Sequence, residues 1–559
     1  DKLWLAEETP VAGWPVAGVE IALHRSFTGH GALVARVAEP VATHAEWTPE
    51  GSLLVRGERG AWNGAMELVI RGPISGVQHV FAATNEPGGG FAVELRPAAL
   101  ESLDGPVPLR AGPWHVCARP AGVSEEAALV PLVIARPLLR RLPLATVVEH
   151  KPFSLGAMAG DRALLLVERD LDDDERSMFH QRLLEEHRYR ARRSAPLRDA
   201  VTYESFGGRQ FSDSPRRIHE EIVQRGSRVE HLWIVHDGMV RPPESATVVR
   251  TGSREHFEAL ATARWIVTND HLPDFFERRD DQFVLQTWHG TPLKRLGLDV
   301  ASAAPTQRRF EGGSSEGMAS WQHVLSPNPH TTEVMRRGLG VTGEIHETGY
   351  PRNDVLAADG REQRARMVRA RLGLDDGQRV VLYAPTFRDH VIDRRGRPRL
   401  DSHLDIEGLR AAVGHDTVVL FRKHHLVLDP VPATADGFVR DVTSYPDATE
   451  LLLAADVLVT DYSALLFDFA LTGRPMIFFA YDLETYRDEV RGFYLDPERE
   501  LPGPVVRTTG ELAAALVDLD AVARRYSERR AVFADRFCAA DDGRAAARAV
   551  DVMFASRRT

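Results

Sequence analysis

Residues 457–479, VLVTDYSALLFDFALTGRPMIFF, decide the fold class of the C-terminal part of the chain. An apolar strand is predicted at Val457–Thr460, a helix at Ser463–Thr472 and a second apolar strand at Met476–Phe479. Gly473, followed by a proline two residues later, is typical of the end of a helix. Short apolar strands separated by a helix form parallel βαβ units, whose sheet is covered by helices on both faces. The stretch therefore predicts an α/β fold.

The same alternation of strand and helix extends from this stretch in both directions. It predicts two Rossmann-like domains, residues 200–355 and 356–559, with the polar, turn-rich run 349–354 at their junction. Tandem domains of this kind leave a cleft between them, and ligands of open α/β sheets bind outside the carboxyl ends of the strands. We therefore expect the functional site in that cleft.

The N-terminal part of the chain follows a different pattern. Residues 1–140 contain about seven short candidate strands separated by turn residues, which predicts an all-β, sandwich-like domain. It has no acid pair or histidine cluster, so we expect an accessory role. Residues 141–199 are predicted to be a linker followed by an arginine-rich surface helix. A solvated charged face is the favoured interpretation of this helix, and contact with anionic lipid or polymer is the alternative.

The composition limits the function classes. With 43% hydrophobic and 27% charged residues, the 559-residue chain is expected to fold rather than to be disordered. A formal net charge of −11 argues against a nucleic acid partner, although a local basic patch could still bind phosphates. Cys117 and Cys538 are the only cysteines, so neither a disulfide scaffold nor a cysteine-ligated zinc cluster is expected.

The sequence also gives an expectation for the cellular location of the protein. Low cysteine usage favours a reducing, cytoplasmic location. No apolar run reaches the roughly 18 residues of a membrane span, so we expect any membrane association to be peripheral, at the cytoplasmic face. The sequence opens on Asp1 and not on methionine, which indicates a piece of a longer polypeptide.

The candidate reacting centre is the run TWHGT at residues 287–291, which follows the predicted strand Phe283–Thr287. A histidine titrates near neutrality and can take a proton from an attacking hydroxyl. Gly290 lets the backbone and a ligand approach closely. A lone histidine is more often structural, but the position of His289 at a strand end favours a catalytic role.

Phosphate-binding residues are predicted at strand ends in the second Rossmann-like domain. Thr460, Asp461 and Ser463 join a buried strand to a helix, whose N-terminus attracts anions, although a serine there is also an ordinary helix cap. Cationic and histidine side chains follow two other strands, and guanidinium groups bind phosphate oxygens in pairs. These residues are Arg388, Arg422, His424 and His425.

The two adjacent histidines have an alternative interpretation. A His424–His425 pair could bind a metal ion. No third histidine, cysteine or carboxylate stands at a fixed short spacing from them, so the phosphate interpretation is favoured and no metal ligand is assigned.

Several runs, taken together and in order, resemble the CDP-glycerol glycerophosphotransferase family of teichoic acid primases and polymerases. The resemblance covers about residues 200–510, and the N-terminal β region lies outside it. The matching runs are ESFGG (204–208) through PR (215–216), QTWHGTPLKRLG (286–297), GYPRND (349–354), APTFR (384–388), TDYS (460–463), FDF (467–469), YD (481–482), RGFY (491–494) and PGP (502–504).

The resemblance implies a GT-B fold, residues 200–355 as the acceptor domain and residues 356–559 as the CDP-donor domain. The two histidines important in the family correspond to His289 and His424, with His425 beside the latter. Arg422 stands where the family has a lysine. The phosphate-binding residues would then be Arg388, Arg422, Thr460 and Ser463. The supporting residues would be Gly290, Thr291, Lys294, Asp461 and His425.

The implied reaction is the transfer of glycerol phosphate, or a related alditol phosphate, from a CDP-alditol with release of CMP. CDP-glycerol or CDP-ribitol would be the donor, and the acceptor a hydroxyl of a lipid-linked or anionic teichoic-acid-like or capsular polymer. In this mechanism His289 deprotonates the acceptor hydroxyl. One alternative is a GT-B glycosyltransferase or epimerase that uses a UDP-sugar, because the fold serves both classes. Another is a non-catalytic polymer-binding protein.

Overall fold

The computed structural model describes the backbone of residues 13–16, 19–25 and 31–37 and, in full, residues 39–555. The exceptions within the latter range are residues 61, 63, 74, 75, 87, 102–104, 124–127, 239, 301–320, 389, 394–397, 425, 428, 430, 433 and 435. The chain forms two compact units, residues 1–172 and 173–559. Both cysteines are buried and free of disulfides.

The described part of the first unit consists of strands and one short helix, α1 (Arg136–Leu139). Antiparallel strands β1 (Gly13–Val16), β2 (Val19–Arg25) and β3 (Gly31–Val37) form a small sheet. Twelve strands form a second, continuous sheet. They are β4 (Val41–Trp47), β5 (Leu53–Glu58), β6 (Met66–Arg71), β7 (Gln78–Ala82), β8 (Thr84–Glu86), β9 (Gly90–Leu95), β10 (Gly112–Pro120), β11 (Val130–Pro131), β12 (Val133–Ile134), β13 (Leu144–Val148), β14 (Lys151–Met158) and β15 (Arg162–Val167).

The first unit is longer than the predicted β domain. Strands β13, β14 and β15 pair with one another inside the range that the sequence predicts to be a linker. Prolines at the edges of this segment favour a linker interpretation, but proline is tolerated near strand ends. The apolar side chains of Phe153, Leu155 and Leu165 point into the core of the unit. Division of these strands into the two layers of a sandwich stays a prediction.

The second unit contains two parallel sheets. The first has the strand order β18–β17–β16–β19–β20–β21–β22, with every neighbouring pair parallel. Its strands are β16 (Arg198–Glu204), β17 (Glu230–Val235), β18 (Thr247–Arg250), β19 (Ala263–Thr268), β20 (Phe283–Gln286), β21 (His323–Ser326) and β22 (Glu344–Glu347). The described helices beside it are α2 (Asp173–Arg176), α3 (Met178–Leu183), α4 (Arg190–Arg192), α5 (Asp213–Gln224), α6 (Arg254–Thr262) and α7 (Pro329–Gly338).

The second parallel sheet has the order β25–β24–β23–β26–β27–β28. Its strands are β23 (Arg379–Ala384), β24 (Thr417–Phe421), β25 (Val439–Asp441), β26 (Val457–Thr460), β27 (Met476–Phe479) and β28 (Val505–Val506). The helices are α8 (Asp354–Ala357), α9 (Arg361–Arg371), α10 (Ile406–Val413), α11 (Ala448–Ala454), α12 (Leu465–Ala470), α13 (Leu483–Thr485), α14 (Pro497–Glu500), α15 (Thr509–Val517), α16 (Leu519–Arg525), α17 (Ser527–Cys538) and α18 (Ala545–Ala555). Two doubly covered parallel sheets confirm the predicted α/β class.

Side chains from the family-like runs join the two halves of the second unit. Arg352 forms a buried, bidentate ion pair with Asp468, at 3.1 and 3.0 Å. The carboxylate of Asp354 accepts hydrogen bonds from the first two backbone N–H groups of α18, which returns to pack on the first sheet. Removing one partner of such a buried pair costs about 3–5 kcal/mol, so these contacts fix the relative position of the two sheets.

The predicted arginine-rich surface helix is present as α3, a π-helical turn (Leu184–Tyr189) and α4. Its inner arginines are paired within the protein, Arg188 and Arg192 with Glu258 and Arg193 with Glu277. Among the residues that the structure describes, no helix is long and apolar enough to cross a membrane.

Candidate active site

The loop that carries His289 follows β20 on the first parallel sheet. Trp288 adopts a left-handed backbone conformation, with φ of 56°, and its N–H donates to the side-chain oxygen of Gln286 over 2.8 Å. Left-handed backbone at a non-glycine residue costs of order 1–3 kcal/mol and persists only where surrounding contacts enforce it. Here the strain turns the chain sharply at the strand end, so that His289 is exposed while Gln286 and Thr287 are buried.

The protonation pattern of His289 is set by the neighbouring strand end. Its Nδ1 lies 3.2 Å from the backbone carbonyl oxygen of Asn269, the residue after β19. A carbonyl oxygen only accepts, so Nδ1 carries the proton and Nε2 presents a lone pair. Trp288 stacks on the imidazole with ring centroids 4.4 Å apart. His289 is therefore held as an oriented base.

Desolvation by the protein around His289 favours its neutral form. Desolvation by the surrounding protein lowers the pKa of His289, even though the ring opens to solvent on one side. The hydrogen bond to Asn269 and the carboxylates of Asp213 and Asp270 oppose this shift, and Arg352 adds to it. A neutral imidazole is the form that can accept a proton from a hydroxyl group.

Sequence reasoning missed the residues that surround this histidine. Asn269 is buried and also accepts the backbone N–H of Phe206 over 2.8 Å, so it holds two loops of the site. Phe206 and Asp213 both have left-handed backbones, with φ of 49° and 60°. Burial next to Asp270 raises the pKa of Glu204 to about 8. The family-like run that starts at Glu204 was a usable signal for Glu204, Phe206 and Asp213, whereas nothing in the sequence singles out Asn269.

Gly290 brings the His289 loop against the second parallel sheet. A Cβ atom at this position would lie 2.9 Å from the Cβ of Ala464, which follows Ser463 after β26. Farther along the loop, Lys294 forms a bridge with Phe493, and the Leu293 carbonyl accepts the N–H of Tyr494 over 2.9 Å. The structure therefore brings the predicted residues His289 and Gly290 close to Ser463. Thr291 is buried beside them.

Asp461 organises the strand ends of the second sheet. One of its oxygens accepts the N–H of Thr386 over 2.8 Å, and the other accepts from Arg388 over 2.8 Å. The side chain is buried. This geometry fits the supporting role expected for Asp461.

Arg388, predicted to bind phosphate, is enclosed at the strand ends of the second sheet. All three of its nitrogens bond inside the protein, to both oxygens of Asp482, to Asp461 and to the carbonyl oxygen of Thr386. Its side chain is 0% exposed, and its guanidinium lies over the rings of Tyr462, Tyr481 and Tyr486. Despite burial, the two carboxylates raise the pKa of this already strong base. Arg388 therefore stabilises the strand ends, and its phosphate contact stays a prediction.

Thr460 and Ser463 have different environments. The Thr460 hydroxyl is fully buried and donates to the Ala384 carbonyl over 2.7 Å, and its phosphate contact stays a prediction. Ser463 is half-buried, and its hydroxyl oxygen lies 3.4 Å from the N–H of Leu465. The helix begins at Leu465 with Ala464 as its cap, two residues later than predicted. Ser463 is thus the hydroxyl at this strand end that can face a ligand.

Arg422 and His424 follow β24, the neighbour of β23. One Arg422 nitrogen donates to the backbone carbonyls of Val442, Thr443 and Tyr445. Burial lowers the pKa of Arg422 to about 10, so it remains a cation at neutral pH. The Nδ1 of His424 accepts the N–H of Leu426 over 3.3 Å, which leaves its Nε2 as a donor. His425 lies outside the described residues.

Arg422 and His424 are joined to the rest of the site through adjacent strands. The Phe387 ring packs on His424 at 4.6 Å, and the Arg422 N–H donates to the Tyr383 carbonyl over 2.9 Å. A neutral oriented base after one sheet and cations after the other define a GT-B transferase for a phosphate compound.

The chain belongs to the CDP-glycerol:poly(glycerophosphate) glycerophosphotransferase family, whose model matches residues 188–555. It is 37% identical over 366 residues to the teichoic acid glycerol-phosphate transferase of Staphylococcus aureus (strain NCTC 8325 / PS 47), a match that covers 64% of this chain and 94% of that protein. It is 35% identical over 370 residues to the teichoic acid poly(glycerol phosphate) polymerase of Bacillus subtilis (strain 168). That second match covers 65% of this chain and 50% of the polymerase, so the chain spans about half of its length.

Comparison with solved structures supports the same family assignment. The wall teichoic acid polymerase TagF aligns with a TM-score of 0.60 and 32% identity, over 68% of this chain and 93% of that one. A histidine-to-asparagine variant of TagF soaked with CDPG aligns with the same TM-score and identity, over 98% of its chain. These matches confirm the GT-B expectation and the resemblance read from the sequence, and they identify the chain as a transferase of this family.

Proposed function

We propose that this chain transfers glycerol phosphate from CDP-glycerol to a hydroxyl group of a teichoic-acid-like polymer and releases CMP. The observation that carries the proposal is the oriented, neutral His289, whose loop contacts the Ser463 region through Gly290. Family membership supports the donor class and disfavours the UDP-sugar alternative. An oriented base of this kind also disfavours a purely polymer-binding role.

In the proposed mechanism, His289 Nε2 accepts the proton of the acceptor hydroxyl as its oxygen attacks the β-phosphorus of CDP-glycerol. A new P–O bond forms to the acceptor, and the P–O bond to CMP breaks. Arg422, the Nε2–H of His424 and Ser463 neutralise charge on the diphosphate. Positioning and electrostatic stabilisation of this kind supply most of the catalysis in phosphoryl transfer.

The two Rossmann-like domains are assigned different substrates from the positions of these residues. We assign residues 200–355 to acceptor binding and residues 356–559 to donor binding, with Lys294 and Thr291 supporting the His289 loop. The N-terminal β unit is proposed to be accessory, with a sandwich-like arrangement, because its described residues include no cluster of catalytic type. Glycerol is preferred to ribitol as the alditol, because the family model is that of a glycerophosphotransferase, and the glycerol phosphate enzymes among the relatives are 32–37% identical, against 25–33% for the ribitol-phosphate enzymes.

A donor screen tests the proposal directly. The full chain is incubated with a glycerol phosphate-primed acceptor and, in separate reactions, CDP-glycerol, CDP-ribitol or a UDP-sugar. We expect CMP release from CDP-glycerol and a product heavier by glycerol phosphate units. Release of UDP, or CMP release without growth of the acceptor, would contradict it. Parallel reactions with Mg²⁺ and with EDTA determine the metal dependence.

We also propose that the acceptor is reached at an anionic membrane surface through α3. Met178 and Phe179 are 78% and 67% exposed, and Arg182 and Arg190 beside them face solvent. Apolar and cationic side chains together suit the boundary between lipid headgroups and acyl chains. Cosedimentation with vesicles of anionic and of neutral lipid tests this, with Met178→Asp as the variant. Equal recovery of wild type and variant with anionic vesicles would refute the contact.

A further inference from the structure

Two histidines and a glutamate form a cluster on the first parallel sheet, away from the candidate active site. His323 is the first residue of β21, and Glu344 and His346 are the first and third residues of β22. The His289 loop follows the carboxyl end of β20, whereas this cluster lies at the amino ends of the neighbouring strands. In the strand register His323 lies beside Leu285, and it lines a cavity with Asp199 and Gln282, residues at the amino ends of β16 and β20. None of the three side chains belongs to the residues of the proposed transfer mechanism.

The strand register brings the three side chains together. His323 pairs directly with Glu344, and the spacing of two residues places Glu344 and His346 on the same face of β22. One potential ligand atom from each side chain lies within 4.8 Å of the other two. Two imidazoles and one carboxylate are a ligand set typical of zinc and related transition metals.

The distances in the cluster are close to those of a metal site. His323 Nδ1 lies 2.9 Å from His346 Nε2 and 3.6 Å from a carboxylate oxygen of Glu344. Tetrahedral zinc with bonds of about 2.0–2.1 Å separates its ligand atoms by about 3.4 Å. Glu344 also lies 3.8 Å from His346 Nδ1, the nitrogen that does not face His323. Binding an ion between the two imidazoles therefore requires the exposed Glu344 side chain to turn toward His346 Nε2.

The rings are held in place before any ion binds. Phe283, the first residue of β20, stacks on His323 with ring centroids 4.0 Å apart and planes 11° apart. Both histidine side chains are only 15% exposed, while that of Glu344 is 67% exposed. Restrained imidazoles lose little conformational freedom on binding, which favours affinity.

An entry path and a free coordination position are also present. His323 and Phe283 line a cavity of about 600 Å³, whose wall includes the carboxylates of Asp199, Asp280 and Asp281. Each of these carboxylates is paired with an arginine, Asp199 with Arg264, Asp280 with Arg278 and Asp281 with Arg279, so the cavity gives access to His323 without a strong local charge. Solvent in the cavity can supply a fourth ligand, as in three-ligand zinc sites.

We propose that His323, Glu344 and His346 bind one divalent transition-metal ion of the zinc class. The ion links β21 to β22, the edge strand of the first parallel sheet. Its role is structural, because its ligands join two neighbouring strands and none of them takes part in the proposed transfer mechanism.

Metal titration of the full chain, first stripped with EDTA, tests the proposal. We expect one Zn²⁺ per chain by calorimetry, a higher melting temperature with Zn²⁺, and visible absorption typical of tetrahedral coordination when Co²⁺ replaces it. His346→Ala removes a direct ligand and is expected to weaken Zn²⁺ binding by more than the about 10- to 100-fold typical of losing an outer-shell partner. Glu344→Gln, at an exposed side chain, is expected to weaken it without disturbing the fold.

The His44–Glu46 pair supplies a matched control. It has the same two-residue spacing on a strand and a 3.7 Å contact, but the structure records no second histidine in that group. His44→Ala should leave Zn²⁺ binding unchanged. The proposal is overturned if wild type binds no Zn²⁺, or if folded Glu344→Gln and His346→Ala bind it as wild type does.

Discussion

The two sides of the candidate active site are built in opposite ways. The His289 loop on the first sheet is exposed and strained, and a single hydrogen bond to Asn269 orients its histidine. On the second sheet, Arg388, Asp461 and Asp482 form a buried network in which every guanidinium nitrogen is bonded. Polar residues in the family-like runs therefore have two different roles. In the His289 loop the histidine is a reactive group, whereas Arg388 and Asp461 are positioning groups.

The largest expected effect falls on the reactive side. His289→Ala should lower the rate of CMP release by about 10²–10⁴-fold, the usual contribution of a general base. Because the side chain is exposed, the midpoint of urea unfolding should stay near that of wild type. His415→Ala, at another exposed histidine, is the control and should keep full activity. A fully active His289→Ala enzyme would remove His289 from the mechanism.

The positioning side should respond through stability. Arg388→Met leaves Asp461 and Asp482 as uncompensated buried charges, so we expect the free energy of unfolding to fall by about 3–5 kcal/mol. Urea unfolding measures this. Arg499→Ala breaks an exposed pair with Asp496 and should change stability little. If Arg388→Met kept wild-type stability but lost donor affinity, Arg388 would be a phosphate ligand after all.

The close contact between Gly290 and Ala464 can be tested by adding a methyl group at one position and removing one at the other. Gly290→Ala places a Cβ 2.9 Å from that of Ala464, which forces the His289 loop to move. Displacement of a reacting group by about 1 Å can cost about 100-fold in rate, so we expect a loss of activity of about 10- to 100-fold. The double variant Gly290→Ala with Ala464→Gly removes the clash and should recover most of this loss. No recovery would mean that the glycine matters for another reason.

The same comparison explains how much the sequence could predict. Strands such as β20, β26 and β27 agree with their predicted ranges within one residue, because short apolar runs bounded by turn residues have little freedom. His289 could be singled out because a histidine at a strand end is a local feature. The buried ion pairs of Arg388 could not be predicted, because an arginine after a strand has the same local sequence whether it binds phosphate or a buried carboxylate. That choice depends on Asp482, 94 residues away. Asn269 orients His289 through its backbone carbonyl. Every residue has such a carbonyl, so the residue type gives no sign of this role.

The smallest expected effect concerns the pH dependence of the rate. Only neutral His289 accepts a proton, and desolvation by the surrounding protein lowers its pKa. We therefore expect kcat/KM to be constant near neutral pH and to fall as pH decreases through that pKa, below the ordinary histidine value. The Asp213 carboxylate raises the pKa of His289, so Asp213→Asn should move the acidic limb to still lower pH. Asparagine also tolerates the left-handed backbone at this position. Asp174→Asn, on the distant helix α2, should leave the profile unchanged. A shift of the limb toward higher pH in Asp213→Asn would show that the group titrating in the profile is not His289.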